Sequence, residues 1–432
     1  MAENAREIVL DTLLEIEKNK VFSNQLLKSV LDKYDYLDIQ DKRFIKRLTE
    51  GCIERKIELD YYLNQYSTIP VNKMKPLIRC LMRMGVYQIV YMDKIPDAAA
   101  CNEAVKLAIK RKFVNLKGFV NGVLRKISRN KEKLPLPQKD NSREYLSVKY
   151  SMPEWIVDMW LMEYGREDTE VLLKALAGIH PVSIRFSTKV SKENREEYVK
   201  AWKEQGAIVK QAEKIPYVYL LEGVDGISSL KGFKEGVFTV QDISSVLCVE
   251  AADIKETDTC MDICAAPGGK TMLAAEKSSK VLARDLSEKK VELIKENIER
   301  MGLSDKVQTE IWDATVADDT KAEYADVVFM DVPCSGLGVM GKKRDIKYHV
   351  TPETLDSLVE LQKQIVENSW QYVKKGGVLM YSTCTIHKEE NQDMSRFICE
   401  NYPFELEEEK QILPGFTEAD GFYFARLRRV TE

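Results

Sequence analysis

Two cysteines stand where a thiol could do chemistry. Cys334 lies in DVPCSGLG (residues 331–338) and Cys384 in YSTCT (residues 381–385), and each follows an apolar run with strand character. An isolated free cysteine is most often inert packing, but two of them past successive strands of one sheet form a different pattern. Such a pair suits a ring carbon that is too poor a nucleophile to react unaided. One thiolate adds to carbon 6 of a pyrimidine and makes carbon 5 able to attack an electrophilic methyl group; a second group then takes the carbon 5 proton so that the thiolate can leave. Asp331, two residues before Pro333, could hydrogen-bond the edge of the base and favour protonation of the ring. On chemistry alone either cysteine could attack and the other assist release.

The elements that must position these thiols are legible upstream. In DICAAPGGKT (residues 262–271) a short apolar run, TCMDI, leads into a Gly-rich turn, and the helix-like KTMLAAEKS follows. Gly268 and Gly269 let the backbone approach a ligand, and the helix start offers free N–H groups to a carboxylate or phosphate. VLARD ends a second strand on Asp285, VQTEIWDA brings Asp313 to the end of a third, and ADVVFMD ends a fourth on Asp331. A single strand-end acid is usually just solvated. Recurrence at successive strand ends favours one crevice, with Asp285 set to bind a ribose diol and Asp313 an adenine amino group. The Gly-rich turn itself carries no G-x-G-x-x-G run, and GGK lacks the spacing of a phosphate-binding P-loop. S-adenosylmethionine, which carries a diol, an adenine and an amino acid but no phosphate, is therefore expected rather than NAD.

Composition sets the frame. The chain has 432 residues, 44% of them hydrophobic, enough for two or three domains with substantial cores, and no run of eighteen apolar residues marks a membrane span. The start, MAENAREIVL, has no signal-peptide core, which makes a cytoplasmic protein the expectation. Nine cysteines without C-x-x-C spacing and only three histidines argue against a metal site and against a disulfide framework. The net charge of −4 conceals an asymmetry, because residues 1–150 hold 29 Lys or Arg against 19 Asp or Glu. Residues 106–133 concentrate ten basic residues against one acid, Glu132. Charged helix faces are usually only solvated; beside a base-modifying domain, phosphate contacts from Lys110, Arg111, Lys112, Arg125, Lys126 and Arg129 are the better expectation.

The first 130 residues show helical periodicity, with Ile8, Leu10, Leu13, Leu14 and Ile16 as the apolar positions of the first segment. LPLPQKDN (residues 134–141) reads as a linker. A Trp-rich helical segment, MPEWIVDMWLMEYG, then opens a second unit in which VSIRFST, a charged helix and VYLLEG form a small α+β platform. The catalytic part is expected from about residue 226, with FTVQD as a strand feeding a helix. These readings divide the chain into residues 1–133, 134–225 and 226–432.

The ordered motifs DICAAPGGKT, VLARD, DVPCSG, YSTCT and the terminal DGFYFARLRR resemble the RsmB (Sun) family of RNA cytosine-5 methyltransferases over essentially the whole chain. The resemblance implies a multidomain protein with an all-α NusB-like RNA-binding domain, a small RRM-like subdomain and an α/β Rossmann-like methyltransferase domain. It also implies cofactor contacts from Cys264, Ala265, Ala266, Pro267, Gly268, Gly269 and Lys270, and from Asp285, Asp313 and Asp331. By the same resemblance Cys384 is the nucleophile and Cys334 assists release, the order that chemistry left open. The implied substrate is cytosine 967 of small-subunit 16S ribosomal RNA; the same chemistry on transfer RNA, or a non-catalytic assembly factor on this fold, remain alternatives. The oligomeric state is not legible, with a monomer as the working expectation. Two departures stand out, Arg284 in place of an apolar strand residue and GKKRDIKY (residues 341–348) without a His-Pro pair.

Overall fold

In the computed structural model, residues 4–140, 142–178, 180–224 and 226–431 are described, so the ends of the expected linker (Asn141) and of the expected middle domain (Asp225) lie outside the described residues. The chain forms two compact units, Met1–Gly178 with Met340–His349, and Ile179–Val339 with Val350–Glu432.

The first unit is helical. Helices α1 (Ala5–Asn19), α2 (Ser23–Lys33), α3 (Ile39–Glu54), α4 (Lys56–Tyr66), α5 (Pro76–Tyr91), α6 (Asp97–Lys110), α7 (Lys117–Arg129), α8 (Ser142–Tyr150) and α9 (Glu154–Leu176) follow one another. Local chemistry fixes several starts. The Asn4 side chain accepts the Arg6 N–H ahead of α1, Asp38 caps α3 in the same way, and Pro76 opens α5, where its missing N–H would have had no partner. Helix α5 buries Ile78, Leu81, Met82, Met84, Val86 and Ile89, more than one face, and so runs through the core. Leu10 and Leu13 of α1, Ile45 and Leu48 of α3, and Val120, Leu124 and Ile127 of α7 close around it.

This unit reaches well past residue 133. Ser151, between α8 and α9, accepts the Ile57 N–H of α4 at 2.9 Å, so the Trp-rich segment packs with the helices before it and the expected boundary falls inside the unit. The segment 340–349 also belongs here. Lys347, buried, donates to the backbone oxygens of Glu54 at 2.9 Å and Ser151 at 2.6 Å, Arg344 pairs with Glu54, and Asp345 accepts the Ser23 N–H. Arg344 and Lys347 of GKKRDIKY, which lacks the His-Pro pair, are thus engaged in anchoring the segment on helix ends.

The second unit holds two sheets. Strands β1 (Val182–Phe186), β2 (Ile208–Gln211), β3 (Val218–Glu222) and β4 (Phe238–Val240) form a small antiparallel sheet in the order β2-β3-β1-β4, packed on α10 (Lys192–Glu204). Its core is aromatic, with Phe186 stacked on Trp202 at 5.4 Å and Phe238 edge-on to Trp202 at 4.9 Å. The strand in FTVQD, expected to begin the catalytic part, instead completes this sheet through the pairing of Val240 with Ile184, because Phe238 is needed in the aromatic core.

After α11 (Ile243–Ala251), the chain builds β5 (Thr259–Asp262), α12 (Gly269–Lys277), β6 (Lys280–Asp285), α13 (Glu288–Arg300), β7 (Val307–Ile311), β8 (Ala325–Asp331), α14 (Pro352–Ser369), β9 (Val373–Thr383), α15 (Gln392–Asn401), β10 (Phe404–Ile412) and β11 (Phe422–Arg429). The seven strands lie in the order β10-β11-β9-β8-β5-β6-β7. Strands β5 to β9 are mutually parallel, whereas β11 pairs antiparallel with both β9 and β10. From β5 the chain winds to β6 and β7 on one side and to β8 and β9 on the other. That reversal is a topological switch point, where an α/β sheet opens a crevice at the carboxyl ends of its strands. No helix among the described residues is long and apolar enough to cross a membrane.

Candidate active site

The carboxyl ends of β5, β6, β8 and β9 converge on the crevice. The turn after β5 reaches α12 through Gly268, whose φ of 100° is the left-handed conformation that glycine adopts freely. Asp262, at the end of β5, is buried and accepts the Thr271 hydroxyl at 2.7 Å, while its other oxygen has no protein partner. Burial pushes this carboxyl up to about 7.

Asp285, at the end of β6, is also buried, and it holds the turn directly. Its Oδ2 accepts the Ala266 N–H at 2.9 Å, and its Oδ1 meets the Leu286 N–H at 2.8 Å and Lys290 at 2.9 Å. Asp313 lies two residues beyond β7, exposed, with its carboxyl lowered by the Thr315 hydroxyl and N–H that it accepts. Arg284 explains itself here. It is buried in β6, bridges Glu310 and Asp318 at 2.7 and 2.6 Å, and lies over the Trp312 ring at 4.7 Å. An apolar residue at that position would leave Asp318 buried without its cation.

Lys270, in the first turn of α12, is buried and pairs with Asp331 Oδ2 at 2.6 Å; the other Asp331 oxygen accepts the Ser382 hydroxyl at 2.9 Å. Burial alone would lower the Lys270 ammonium, but Asp331, with Cys248 and Asp262, outweighs it and holds the group above its ordinary range. The Cys264 thiol is raised, by burial first and then by Asp262, Asp285 and Asp331. A thiol held protonated there can pack against a ligand but is no nucleophile.

The two singled-out cysteines meet. Cys334 follows β8 by three residues, Cys384 follows β9 directly, and their sulfur atoms are 3.3 Å apart. The neighbouring Cys384 and burial hold the Cys334 thiol well above the ordinary range. Backbone contacts fix the loops that carry them, since Gly338 donates to the Cys384 carbonyl at 3.2 Å and Gly421 to the Gly338 carbonyl at 3.0 Å. A Cβ on Gly338 would lie 2.1 Å from the Gly421 oxygen, so the approach requires glycine at this position. This is how the terminal DGFYF motif enters the site.

The six basic residues singled out in the helical unit are a separate matter. Lys110 pairs with Glu7 at 2.5 Å and Arg111 with Asp11 at 2.6 Å, so these two cations are already engaged by α1. Lys112 is exposed past the end of α6; Arg125, Lys126 and Arg129 are exposed on α7, where Arg125 donates to Asn121 at 2.8 Å. Ser335, Ser382 and Thr385 lie inside the two cysteine motifs without having been singled out there, and Gln362 and Glu390 lie outside every motif. Among the described residues, no group of three His, Cys, Asp or Glu side chains could hold a metal ion.

The residues present fit S-adenosylmethionine. Acids at three successive strand ends suit a diol and amino groups, a helix N-terminus suits a carboxylate, and the Asp262 oxygen left without a protein partner adds a buried acceptor. Fold and site together define a Rossmann-type methyltransferase joined to a helical domain. Residues 249–428 match the 16S rRNA methyltransferase RsmB/F family and residues 3–129 the NusB family. The chain belongs to the ribosomal RNA small subunit methyltransferase B family. A probable member from Bacillus subtilis is 36% identical over 99% of both chains, and one from Photorhabdus laumondii is 31% identical over 94% of this chain and 95% of its own. Among solved structures, PH0851 covers 99% of both chains at a TM-score of 0.80 and 24% identity. NSun6 from Pyrococcus horikoshii with SFG covers 65% of this chain and 99% of its own at 0.56 and 21%; at these identities the likeness is one of fold. S-adenosylmethionine is the cofactor.

Proposed function

We propose that this protein methylates carbon 5 of cytosine 967 in 16S ribosomal RNA through a covalent cysteine adduct. The observation that carries the reading is the pair of sulfurs 3.3 Å apart, three residues beyond Asp331 on one loop and directly after β9 on the other. Bound S-adenosylmethionine supplies an electrophilic methyl group. Cys384 adds to carbon 6 as its thiolate, and Cys334, whose thiol is raised by its neighbour and by burial so that its thiolate is a strong base, is the group placed to take the proton from carbon 5 once it has given up its own, as the Cys384 thiolate leaves. Asp331, oriented by Lys270 and Ser382, holds the base edge. Cys264 through Lys270, Asp285 and Asp313 hold the cofactor, and Lys112, Arg125, Lys126 and Arg129 contact RNA phosphates, with Lys110 and Arg111 contributing only after they leave Glu7 and Asp11. The names of the relatives support ribosomal RNA over transfer RNA, and the intact thiol pair speaks against a non-catalytic role.

The test separates attack from release. Cys334→Ala should trap RNA as an adduct stable on denaturing gels and slow turnover about 10²–10⁴-fold, the usual weight of a proton-transfer group. Cys384→Ala should form no adduct. An adduct with Cys384→Ala alone would reverse the roles, and bisulfite mapping of the product that left cytosine 967 unmodified would refute the assignment of the nucleotide.

A further inference from the structure

Glu390 is a carboxylate with no exposed surface, on the short turn after Cys384. Its partners flank the reacting residues. Glu390 Oε2 accepts the Ser335 N–H at 2.8 Å and the Gln362 amide at 3.0 Å, and its Oε1 accepts the Ser335 hydroxyl at 2.5 Å. The same Ser335 oxygen lies 2.7 Å from Thr385 Oγ1. A serine hydroxyl has one proton; it goes to Glu390, so Thr385 must donate to Ser335. Ser335 follows Cys334 and Thr385 follows Cys384, so a chain Thr385 to Ser335 to Glu390 ties the two cysteine loops together. Gln362, fully buried on α14, extends the tie by donating to the Pro333 carbonyl at 2.9 Å, on the other side of Cys334. Tyr381 of β9 donates to the Glu390 carbonyl at 2.8 Å.

We infer that Glu390 is a positioning residue, held by Gln362, that locks the Cys334 and Cys384 loops in register and so sets the separation of the two thiols. This rests on the reading of those thiols as the reacting pair. Covalent addition and proton exchange act on adjacent ring carbons within one substrate, so both sulfurs must keep their places through the cycle. A buried carboxylate that accepts from three donors, with His387 Nδ1 a further 3.3 Å from its Oε1, is stiff only while those donors are present. Its nearest effect is therefore on the distance between the sulfurs and on the release step, while the cofactor turn lies on other strands.

The experiment uses the full chain and three variants, Glu390→Gln, Ser335→Ala and Gln362→Leu. Treatment with diamide, a diazene oxidant, reads the geometry without RNA. The two thiols lose two hydrogens, a sulfur–sulfur bond forms, the diazene becomes a hydrazine, and the 334–384 peptide pair is counted by mass spectrometry. Each lost tie should slow this pairing about fivefold or more, the weight of one ordinary hydrogen bond. Methyl transfer should lose kcat by at least a similar factor with KM for RNA unchanged, and the RNA adduct should build up as release slows. S-adenosylhomocysteine affinity should stay within about twofold of wild type. Ser335→Ala keeps the carboxylate paired with Gln362 and the Ser335 N–H, so it carries the test if Glu390→Gln does not fold. Pairing at the wild-type rate in folded variants would overturn the inference, whatever the turnover. Slowed pairing in variants of a protein that forms no RNA adduct would uphold the positioning and sink the proposed chemistry instead.

Discussion

Asp285 holds the turn in this structure and is proposed to hold the ribose diol as well, and substituting it should separate the two. Its carboxylate is buried and already accepts the Ala266 N–H at 2.9 Å and the Leu286 N–H at 2.8 Å, with Lys290 beside it at 2.9 Å. Two carboxylate oxygens offer about four acceptor sites, so both hydroxyls of a ribose diol can bind without displacing the turn once the exposed Lys290 yields its place. Hydrogen bonds to a charged group are worth about 1.5–3 kcal/mol. Asp285→Asn keeps the volume but loses the charge and one acceptor, and should weaken binding of S-adenosylhomocysteine roughly 10- to 150-fold. Asp285→Ala also strands the Ala266 N–H, a further loss of about 1–3 kcal/mol that releases the turn carrying Gly268 and Lys270. The alanine variant should therefore bind more weakly than the asparagine one and unfold at lower temperature. Titration calorimetry measures the first effect and a thermal melt the second. Lys290→Ala, removing an exposed side chain, should change affinity by less than about threefold. If Asp285→Asn bound S-adenosylhomocysteine within twofold of wild type, the diol contact would not lie on β6 and the reasoning from strand-end acids would fail.

Three other outcomes follow from the same geometry. Arg284→Met should destabilise the protein by about 3 kcal/mol in urea unfolding, because Asp318, 9% exposed, loses its buried cation; adding Asp318→Asn should recover part of that, and strict additivity of the two changes would show that the pair is not coupled. The folded Asp262 carboxyl, raised from 3.8 to about 7, contributes stability that is fully present below pH 3.8 and is lost as pH rises through about 7, amounting to about 4 kcal/mol if the whole shift is expressed. Asp262→Asn should flatten this trend, raising the melting temperature at about pH 7.5 more than at about pH 5; a wild-type pH profile in the variant would rule Asp262 out as its source. Reversing Arg125 and Lys126 to Glu should raise KM for RNA and lower the slope of log affinity against log salt by about two, and an unchanged slope in a filter-binding titration would make α7 an ordinary solvated face.

What the chain discloses by itself depends on how far apart the causes lie. The turn Cys264 to Lys270 and the acids Asp285 and Asp331 are legible because each follows locally from a strand of apolar residues ending at the same edge of one sheet. The membership of β4 is not, because the three residues Phe238–Val240 read equally well as the start of either sheet, and the aromatic core around Trp202 decides. Likewise the positive run at Lys110 and Arg111 looks free for RNA until the acids Glu7 and Asp11, about a hundred positions away, close on it. Residues 341–348 read as a catalytic-domain loop, yet Arg344, Asp345 and Lys347 among them engage Glu54, Ser23 and Ser151 of the helical unit. The tie between the cysteine loops is the instructive case. Glu390 sits in a charged stretch, KEEN, that resembles solvent-facing turn and gives no local sign of full burial. Gln362 does leave one. In α14 it shares the buried stripe with Leu355, Ile365, Val366 and Ser369, at helical spacing, so the pattern places an amide on the apolar face of a polar helix. A buried polar residue on such a face needs a partner of its own kind, and the fold supplies it as Glu390 from the loop after Cys384.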